Sequence, residues 1–240
     1  VDMDQEEVAN TFEKYGFVMM PVVDKENKIL GVITIDDILE VIKEEASEDI
    51  HHMAGLAKEE RVDGTIGDSI KSRLPWLIIN LLTALLASTV IDLFQSTISQ
   101  VVALSAVMTI VSGMGGNAGT QSLTIIVRGL SLGELTKENA RKVLMKELTV
   151  GLVNGLVIAV FVSILALYYE FNMMFGLIAG IAMVLNMIMA NFSGYLVPVV
   201  LEKMNIDPAL ASGVFVTTVT DVLGFLFFLG LASMFMQYLV

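Results

Sequence analysis

The sequence contains no cysteine, only two histidines and only four prolines among its 240 residues. The absence of cysteine excludes disulfide bonds and metal sites built from thiolates. Charged residues are also scarce, at 17% of the chain, and long stretches of the second two thirds lack them altogether. Hydrophobic residues make up 55%, far above the average of soluble globular proteins, so the composition predicts a membrane protein.

The few charges are unevenly placed. The first 73 residues hold 8 Lys/Arg and 18 Asp/Glu, a net charge of −10, whereas the remaining residues hold 6 and 8. A strongly acidic soluble region disfavours nucleic acid as a partner. It is typical either of plain solubility or of cation binding.

Isolated charges separate the long apolar stretches of the second part. A membrane-spanning helix needs about 20 apolar residues at about 1.5 Å each. All 14 Lys/Arg fall before the first stretch, between the second and third, or between the fourth and fifth, so the positive-inside rule predicts a cytoplasmic N-terminus and an extracellular C-terminus. The sequence predicts five spans, near 74–92, 100–127, 147–168, 173–199 and 208–238.

The N-terminal part is predicted to be a small soluble unit of helices and strands. A short helix over Gln5–Tyr15 is expected, with Asp4 as its N-cap and Gly16 as its end. Two short apolar runs, 17–23 and 28–34, are joined by turn residues and predict a hairpin. Thr34 or Asp36 is then expected to cap a second helix that becomes acidic along its length.

Several long motifs point to one family. The run ending in GVITIDDILEVI resembles the second half of a CBS domain. Together with EEASEDIHHMAGL, RLPWLIINLLTALLAS, GMGGNAGTQS and DPALASGVFVTTVTDVLGF, it resembles the C-terminal part of an MgtE-type magnesium channel over almost the whole chain. The first residues, VDMDQEEVAN, include no initiator Met or signal peptide, so we expect a fragment of a longer protein.

The resemblance implies an α-helical integral membrane protein with five transmembrane helices, preceded by a partial α/β CBS domain. It also implies a homodimer in the plasma membrane that conducts Mg²⁺ and is gated by cytoplasmic Mg²⁺. The expected divisions are a partial CBS domain over 1–43, an acidic connecting helix over 44–72 and a pore domain over 73–240.

Asp221 is the only charged residue after Asp207. It follows Pro208 by 13 positions, or about 20 Å of helix, which places it near mid-membrane. A carboxylate at that depth is costly unless it faces water, a partner or an ion. It is therefore either an ion site or a carboxyl group that hydrogen-bonds to a nearby threonine: Thr217, Thr218 or Thr220. The resemblance implies an ion site, with the TTVTD segment, including Thr217, lining the pore.

The second span is interrupted by SGMGGNAGTQS, residues 112–122. We predict that the helix breaks there and turns the carbonyls of Gly115 and Gly116 toward a pore, since irregular backbone is tolerated at membrane depth only beside water. The alternative is close helix packing, because Gly115 and Gly119 form a small-xxx-small pattern.

Mg²⁺ prefers six oxygen ligands and gives up its water reluctantly. A pore for Mg²⁺ should therefore offer a few oxygens spaced to hold a largely hydrated ion. The polar side chains predicted to contact its coordinated waters are Asn117, Thr120 and Gln121. Where Thr120 stands, some members of the family are expected to carry a second Asn.

Five carboxylates crowd the second soluble helix between Glu40 and Asp49, three of them on one face at every fourth residue. Like charges at that spacing weaken a helix unless a cation or a basic partner relieves them. The alternative is a solvated acidic face. The resemblance implies that cytoplasmic Mg²⁺ binds here and holds the pore shut, with the predicted ligands Glu44, Glu45, Glu48, Asp49 and Asp36.

Two further patterns are weaker. The GVITIDD segment resembles the segment by which CBS domains bind adenine nucleotides such as ATP, with Thr34 near phosphate and Asp37 at the ribose. The alternative is that both residues simply start a helix.

His51 and His52 are adjacent and point to different helix faces, so they are interpreted as surface residues rather than metal ligands.

The sequence bears on four classes of function. A coupled carrier that uses protons or Na⁺ would need more titratable groups inside the membrane than the one at Asp221. An aspartyl enzyme would need a pair of carboxylates within reach of each other, so no enzymatic activity is expected. A membrane anchor for a CBS domain would leave Asp221 and the glycine-rich segment without a purpose. A Mg²⁺-selective channel is the predicted function, and the coupled carrier is the alternative.

Overall fold

The computed structural model describes residues 1–57, 60, 62–168, 172–210 and 213–239. Most of them are helical. The elements in chain order are α1 (Gln5–Tyr15), β1 (Met19–Val23), β2 (Ile29–Thr34), α2 (Ile35–Met53), α3 (Ile66–Leu93), α4 (Gln95–Gln100), α5 (Ala103–Ser131), α6 (Ala140–Tyr168), α7 (Met173–Lys203), a 3₁₀ helix at Pro208–Leu210, α8 (Gly213–Met234) and a 3₁₀ helix at Met236–Tyr238.

The predicted soluble unit is confirmed. Asp4 accepts a hydrogen bond from the Glu6 N–H and caps α1, and Gly16 ends the helix with a φ of 64°, where a side chain would be strained. Strands β1 and β2 form an antiparallel hairpin in which Met20 faces Ile33. Phe12 of α1 and Ile38 of α2 are buried together and close a small core over the hairpin.

The connecting helix predicted over 44–72 is not a single helix. Helix α2 continues without a break from the CBS-like unit through the acidic residues and ends at Met53, and α3 begins at Ile66. Thr65 caps α3 by accepting a hydrogen bond from the Asp68 N–H. Gly55, with a φ of 71°, follows the end of α2, a position that favours termination over continuation.

Among the residues that the structure describes, four helices are long and apolar enough to cross a membrane by length and composition: α3, α6, α7 and α8. They correspond to the first, third, fourth and fifth predicted spans. The second predicted span forms α5, which at 29 residues is long enough but is less apolar because of its SGMGGNAGTQS segment. The five-span count is therefore not confirmed by hydropathy, although each of the five predicted segments contains a long helix.

The predicted break in the second span is wrong. Helix α5 runs continuously through residues 112–122, so the carbonyls of Gly115 and Gly116 lie within the helix. Gly115, Gly116 and Gly119 serve close packing instead. A Cβ at Gly119 would overlap with Val216 Cγ1 on α8 and would lie 3.3 Å from the Ala190 carbonyl oxygen on α7, a tight contact, so the neighbours would have to move.

Helix α7 lies at the centre of the membrane part. It packs against α5, α6 and α8, and its buried residues are mostly small or flexible, including Ala179, Ala182, Met183 and Ala190. Helix α3, by contrast, lies at the edge, packs mainly on α8 and leaves most of its leucines exposed. An exposed apolar helix of this kind is suited to contact lipid or another copy of the chain.

Candidate ion-binding sites

Asp221 lies in the middle of α8, half-buried against α5. The hydroxyl of Ser112 on α5 donates a hydrogen bond to its Oδ1. Helix packing places this serine opposite Asp221, since α5 and α8 run antiparallel and small residues keep the two helices close. The carboxylate is thus held by a hydroxyl from a neighbouring helix.

The threonines near Asp221 are engaged elsewhere. Thr217 and Thr218 both donate hydrogen bonds to the Val214 carbonyl, at 3.1 and 2.6 Å, and Thr220 donates to the Thr217 carbonyl at 2.9 Å. The alternative in which these hydroxyls satisfy the carboxylate therefore does not describe the structure. Hydroxyls that bond back to their own helix are common in apolar surroundings, where few other acceptors are available.

The contact between α5 and α8 collects most of the predicted pore residues. A Cβ at Gly116 would lie 3.4 Å from Thr217 Cγ2, and the Thr120 hydroxyl lies 3.7 Å from the Cβ position of Gly213. Thr120 also donates a hydrogen bond of 2.9 Å to the Gly116 carbonyl. We call this contact the α5–α8 seam, defined by the residues Ser112, Gly116, Thr120, Gly213, Thr217 and Asp221.

Three of the predicted pore residues lie away from this seam. Gly115 packs against Asn186 of α7. Asn117 and Gln121 are exposed and line a cavity of about 190 Å³ next to α6, together with Asn154, Met114, Ala118, Val157, Ile158 and Met187. The predicted pore residues of α5 are thus spread over three faces, toward α8, α7 and α6, because neighbouring positions lie roughly 100° apart around the helix.

The acidic end of α2 lies against the membrane helices. His52 Nδ1 lies 3.0 Å from Asp207 Oδ2, just before the Pro208–Leu210 turn, and the Ser131 hydroxyl at the end of α5 donates a 3.3 Å hydrogen bond to Asp49. The carbonyl of Met53 lies 4.0 Å from the Cβ position of Gly213. The end of α2 therefore covers one end of the α5–α8 seam.

Five carboxylates approach one another where α1, α2 and this turn meet. We call them the acidic cluster: Asp4, Glu6, Glu45, Asp49 and Asp207. Burial, and after it the neighbouring negative charges with Asp49 first, together raise the pKa of Glu6 to about 7. Burial and then Asp207 likewise raise the pKa of Asp49, against a lowering effect of its hydrogen bond from Ser131.

In both carboxyl groups, burial first and the neighbouring carboxylates second disfavour the negative charge. A divalent cation would relieve it, and carboxylate oxygens are suitable ligands for Mg²⁺. Within the part of the chain that the structure describes, however, no three His, Asp or Glu side chains converge closely enough to form a metal site as they stand. The chemistry of the cluster fits a cation, but ligation would require the side chains to draw together.

The predicted cytoplasmic set is only partly brought together. Glu45 and Asp49 belong to the acidic cluster, and Glu48 Oε1 lies 3.9 Å from His52 Nε2. Glu44 and Asp36 are exposed and point away. His52 is not a surface residue, as its side chain is only 14% exposed.

Thr34 and Asp37 bond to each other at the start of α2. Both the N–H and the hydroxyl of Thr34 donate to Asp37 Oδ2, at 2.9 and 2.7 Å, and these hydrogen bonds lower the pKa of Asp37. This arrangement accounts for both residues as the start of a helix. Nucleotide binding by them stays a prediction.

A second carboxylate is buried inside the membrane part. Glu147 of α6 is 3% exposed, accepts a 2.9 Å hydrogen bond from the Ser122 hydroxyl and lies 3.5 Å from Lys146 Nζ. Asn191 of α7 donates to the Glu147 backbone carbonyl at 3.1 Å. The group joins α5, α6 and α7, and sequence reasoning placed it only at the edge of a span.

The divalent cation transporter family MgtE matches residues 108–231, a region that contains both halves of the α5–α8 seam. The chain belongs to this family. The CBS domain family matches residues 1–44, which covers the hairpin and the first part of α2. Membership confirms the resemblance and the fold class, an α-helical membrane protein with a CBS-like part at its N-terminus.

Curated relatives agree with the family. Proteins named magnesium transporter MgtE are 37% identical over 236 residues in Bacillus subtilis, 37% over 237 in Enterococcus faecalis and 35% over 238 in Thermus thermophilus. These matches take in 98%, 99% and 98% of the chain, but only 52%, 52% and 53% of each relative. The chain thus spans about half the length of the MgtE relatives it matches.

Sequence reasoning missed four residues that the structure places at these sites. Ser112 is the first residue of the glycine-rich segment. Its hydroxyl, three residues before Gly115, could have indicated a contact with another helix. Glu6, His52 and Asp207 lie far apart in the chain, and no local pattern joins them. Only the packing of α2 against the membrane helices brings them together.

Proposed function

We propose that this chain forms the pore and the adjoining regulatory part of a Mg²⁺-selective channel. The observation that carries the proposal is Asp221, a half-buried carboxylate held by Ser112 within the region that the MgtE family matches. A carboxylate at that position in an apolar helix is costly unless it serves an ion or water. The names of the relatives, all magnesium transporters, support Mg²⁺ as the cargo and transport rather than catalysis as the activity.

The α5–α8 seam suits a hydrated Mg²⁺ ion. Mg²⁺ usually keeps several waters and binds proteins through one or two carboxylates. Asp221 would supply the charge, while the hydroxyls of Thr120 and Thr217 and the polar groups of Asn117 and Gln121 would bind coordinated waters. Gly115 and Gly116 would contribute by letting the helices approach rather than by presenting carbonyls.

We further propose that two copies of the chain form the pore. Asn117, Gln121 and Asn154 are exposed at membrane depth, where polar side chains need a partner or water. The long exposed leucine face of α3 is equally unpartnered within one chain. A two-fold dimer would cover such faces and bring two Asp221 carboxylates to a shared ion path.

The proposed gate is the end of α2. The Met53 carbonyl and the His52–Asp207 pair lie at the end of the α5–α8 seam. Mg²⁺ in the acidic cluster would hold α2 in this position and the pore shut, and at low Mg²⁺ the repulsion among the carboxylates would favour the release of α2.

We propose that the N-terminus is cytoplasmic and the C-terminus extracellular in the plasma membrane, as the distribution of basic residues predicts.

The proposed divisions are a partial CBS domain over 1–43, a connecting segment over 44–72 and a pore domain over 73–240. The CBS family match to residues 1–44 supports the first boundary. ATP binding at Thr34 and Asp37 is a further proposal. It would require the mutual hydrogen bonds of these two residues to open.

A proton- or sodium-coupled carrier is the second candidate, and Glu147 favours it. Such a carrier needs a titratable group inside the membrane besides the cation site, and Glu147 is a buried carboxylate outside the α5–α8 seam. Coupling predicts that a proton gradient drives Mg²⁺ uptake and that Glu147→Gln abolishes this effect. A channel predicts passive Mg²⁺ flux in the wild type and in Glu147→Gln alike.

The decisive experiment measures Mg²⁺ flux into liposomes that contain this chain. Asp221→Asn keeps the size of the side chain but removes its charge. Asp92→Asn, an exposed acidic residue near the end of α3, is the matched control. The proposal requires flux in the wild type and the control and its loss in Asp221→Asn with equal incorporation, and equal flux in all three would contradict it.

A further inference from the structure

Asn186 lies in the middle of α7 with its side chain fully buried, at 0% exposure. Its Nδ2 donates a 2.8 Å hydrogen bond to the Val111 carbonyl on α5. Its Oδ1 is buried and has no partner among the residues that the structure describes. An unpaired amide oxygen is destabilising, so an apolar residue of the same shape would serve packing better.

The amide of Asn186 fits a socket made by glycines from two different helices. A Cβ at Gly115 of α5 would lie 2.2 Å from Nδ2, and a Cβ at Gly224 of α8 would lie 2.8 Å from the same atom. Both distances are too short for any real contact. The side chain therefore occupies its place only because α5 and α8 each have a glycine there.

The socket lies at the depth of the ion site. Gly115 follows Ser112 by three residues on α5, and Gly224 follows Asp221 by three on α8. The two helices are antiparallel, so these steps run in opposite directions from the Ser112–Asp221 hydrogen bond. The amide contacts both glycines and donates to the carbonyl of Val111, the residue before Ser112, so it lies beside the turn of α5 that contacts Asp221.

We propose that Asn186 is a positioning residue for Asp221, which sets the separation of α5 and α8 at the ion site and thereby the discrimination among divalent cations. This inference rests on the proposed function. The preferred oxygen distances of Mg²⁺ and Ca²⁺ are about 2.0–2.1 Å and about 2.3–2.6 Å, so a shift of a few tenths of an ångström between the two helices alters the preference. The hydrogen bond to Val111 fixes α5, and the contact with Gly224 fixes α8.

The test compares Mg²⁺ and Ca²⁺ flux in liposomes for the wild type, Asn186→Leu and Asp221→Asn. Leucine has the branching pattern and the number of side-chain heavy atoms of asparagine but cannot bond to Val111. We expect Asn186→Leu to raise the half-saturating Mg²⁺ concentration about tenfold, equivalent to about 1.4 kcal/mol, and to lower the Mg²⁺/Ca²⁺ flux ratio. Maximal flux at equal incorporation should change much less, since the carboxylate is still present.

A second pair of variants keeps the test valid if Asn186→Leu does not fold. Gly224→Ala places a Cβ against the Asn186 amide, and the double variant Asn186→Ala, Gly224→Ala removes that clash without restoring the bond to Val111. We expect the double variant to recover the thermal stability that Gly224→Ala loses. Its half-saturation and flux ratio should stay altered.

Three outcomes would decide against the inference. If a folded Asn186→Leu keeps the wild-type half-saturation and flux ratio, or if the double variant recovers both, Asn186 only fills space. Loss of flux in Asp221→Asn, together with a wild-type half-saturation and a wild-type Mg²⁺/Ca²⁺ flux ratio in the Asn186 variants, overturns the positioning role alone. A wild type that conducts no Mg²⁺ overturns the proposed function and this inference with it.

Discussion

His52 Nδ1 lies 3.0 Å from Asp207 Oδ2, and this pair joins the end of the acidic helix α2 to the turn before α8. Asp207 also contributes to raising the pKa of Glu6 and Asp49. Asp207 lies six residues before Gly213, the first residue of α8, and α8 carries Asp221. A change of charge in the soluble part therefore acts on a carboxylate close to the start of that helix.

Mg²⁺ binding by the acidic cluster is tested by two adjacent carboxylates. Glu45 belongs to the cluster, whereas Glu44 is exposed beside it. Mg²⁺ that binds the folded state raises the melting temperature according to its affinity. We expect Glu45→Gln to weaken the apparent Mg²⁺ affinity about tenfold, or about 1.4 kcal/mol, with Glu44→Gln close to the wild type. Thermal unfolding of the purified chain across a Mg²⁺ titration measures both, and equal losses in the two variants would point to a diffuse acidic face instead.

The raised pKa of Glu6 predicts that stability depends on pH in the absence of divalent cations. Its pKa is about 7 in the folded protein against an ordinary 4.5, so the folded state binds more protons between these values. The contribution of Glu6 to the free energy of unfolding is fully present below pH 4.5 and is lost as the pH rises through 7. The melting temperature should therefore fall over that range.

Glu6→Gln should flatten this dependence, and added Mg²⁺ should do the same in the wild type, because each relieves the repulsion. Glu7→Gln, an exposed neighbour on α1, serves as the control and should retain the wild-type slope. A slope that survives in Glu6→Gln would assign the effect to another group.

The Ser112–Asp221 hydrogen bond is predicted to matter for conduction. Hydrogen bonds to charged groups contribute about 1.5–3 kcal/mol, so Ser112→Ala should reduce Mg²⁺ flux about tenfold or more. Ser112→Thr keeps the hydroxyl and should retain most of it. Ser105→Ala on the same helix removes a hydroxyl that donates to the Val102 carbonyl of its own chain segment and should have little effect. Comparable flux in the two alanine variants would remove Ser112 from the site.

Close packing at Gly119 is predicted to be essential for folding. An added methyl group would press on Val216 and on the Ala190 carbonyl, and overpacking of this kind costs about 1–3 kcal/mol. Gly113→Ala is the matched control, since nothing lies within 4 Å of its Cβ position and alanine favours a helix by about 1 kcal/mol. Thermal unfolding in detergent should show opposite shifts for Gly119→Ala and Gly113→Ala. A Gly119→Ala variant as stable as the wild type would contradict the packing role.

Much of the fold was predictable because its signals are local. Asp4 and Gly16 mark the ends of α1, because their capping hydrogen bonds involve only nearby residues. The long apolar stretches are recognisable because a helix that crosses a membrane must be apolar over about 20 residues, whatever it packs against. The prediction that the helix breaks in the glycine-rich segment was wrong because a run of glycines is ambiguous. Glycine permits both a broken helix and a tightly packed one, and which occurs depends on the partner helices, here Val216 and Ala190 against Gly119.

The sequence by itself determined the membrane class, the family and the importance of Asp221, since hydropathy, motif identity and an isolated charge are properties of the chain alone. Only the tertiary structure decided which groups act together. Ser112 reaches Asp221 across two helices, Glu6 and Asp207 meet Asp49 from distant parts of the chain, and Asn186 fits between Gly115 and Gly224. These relationships depend on helix packing at distances of a few ångströms, which no linear pattern encodes.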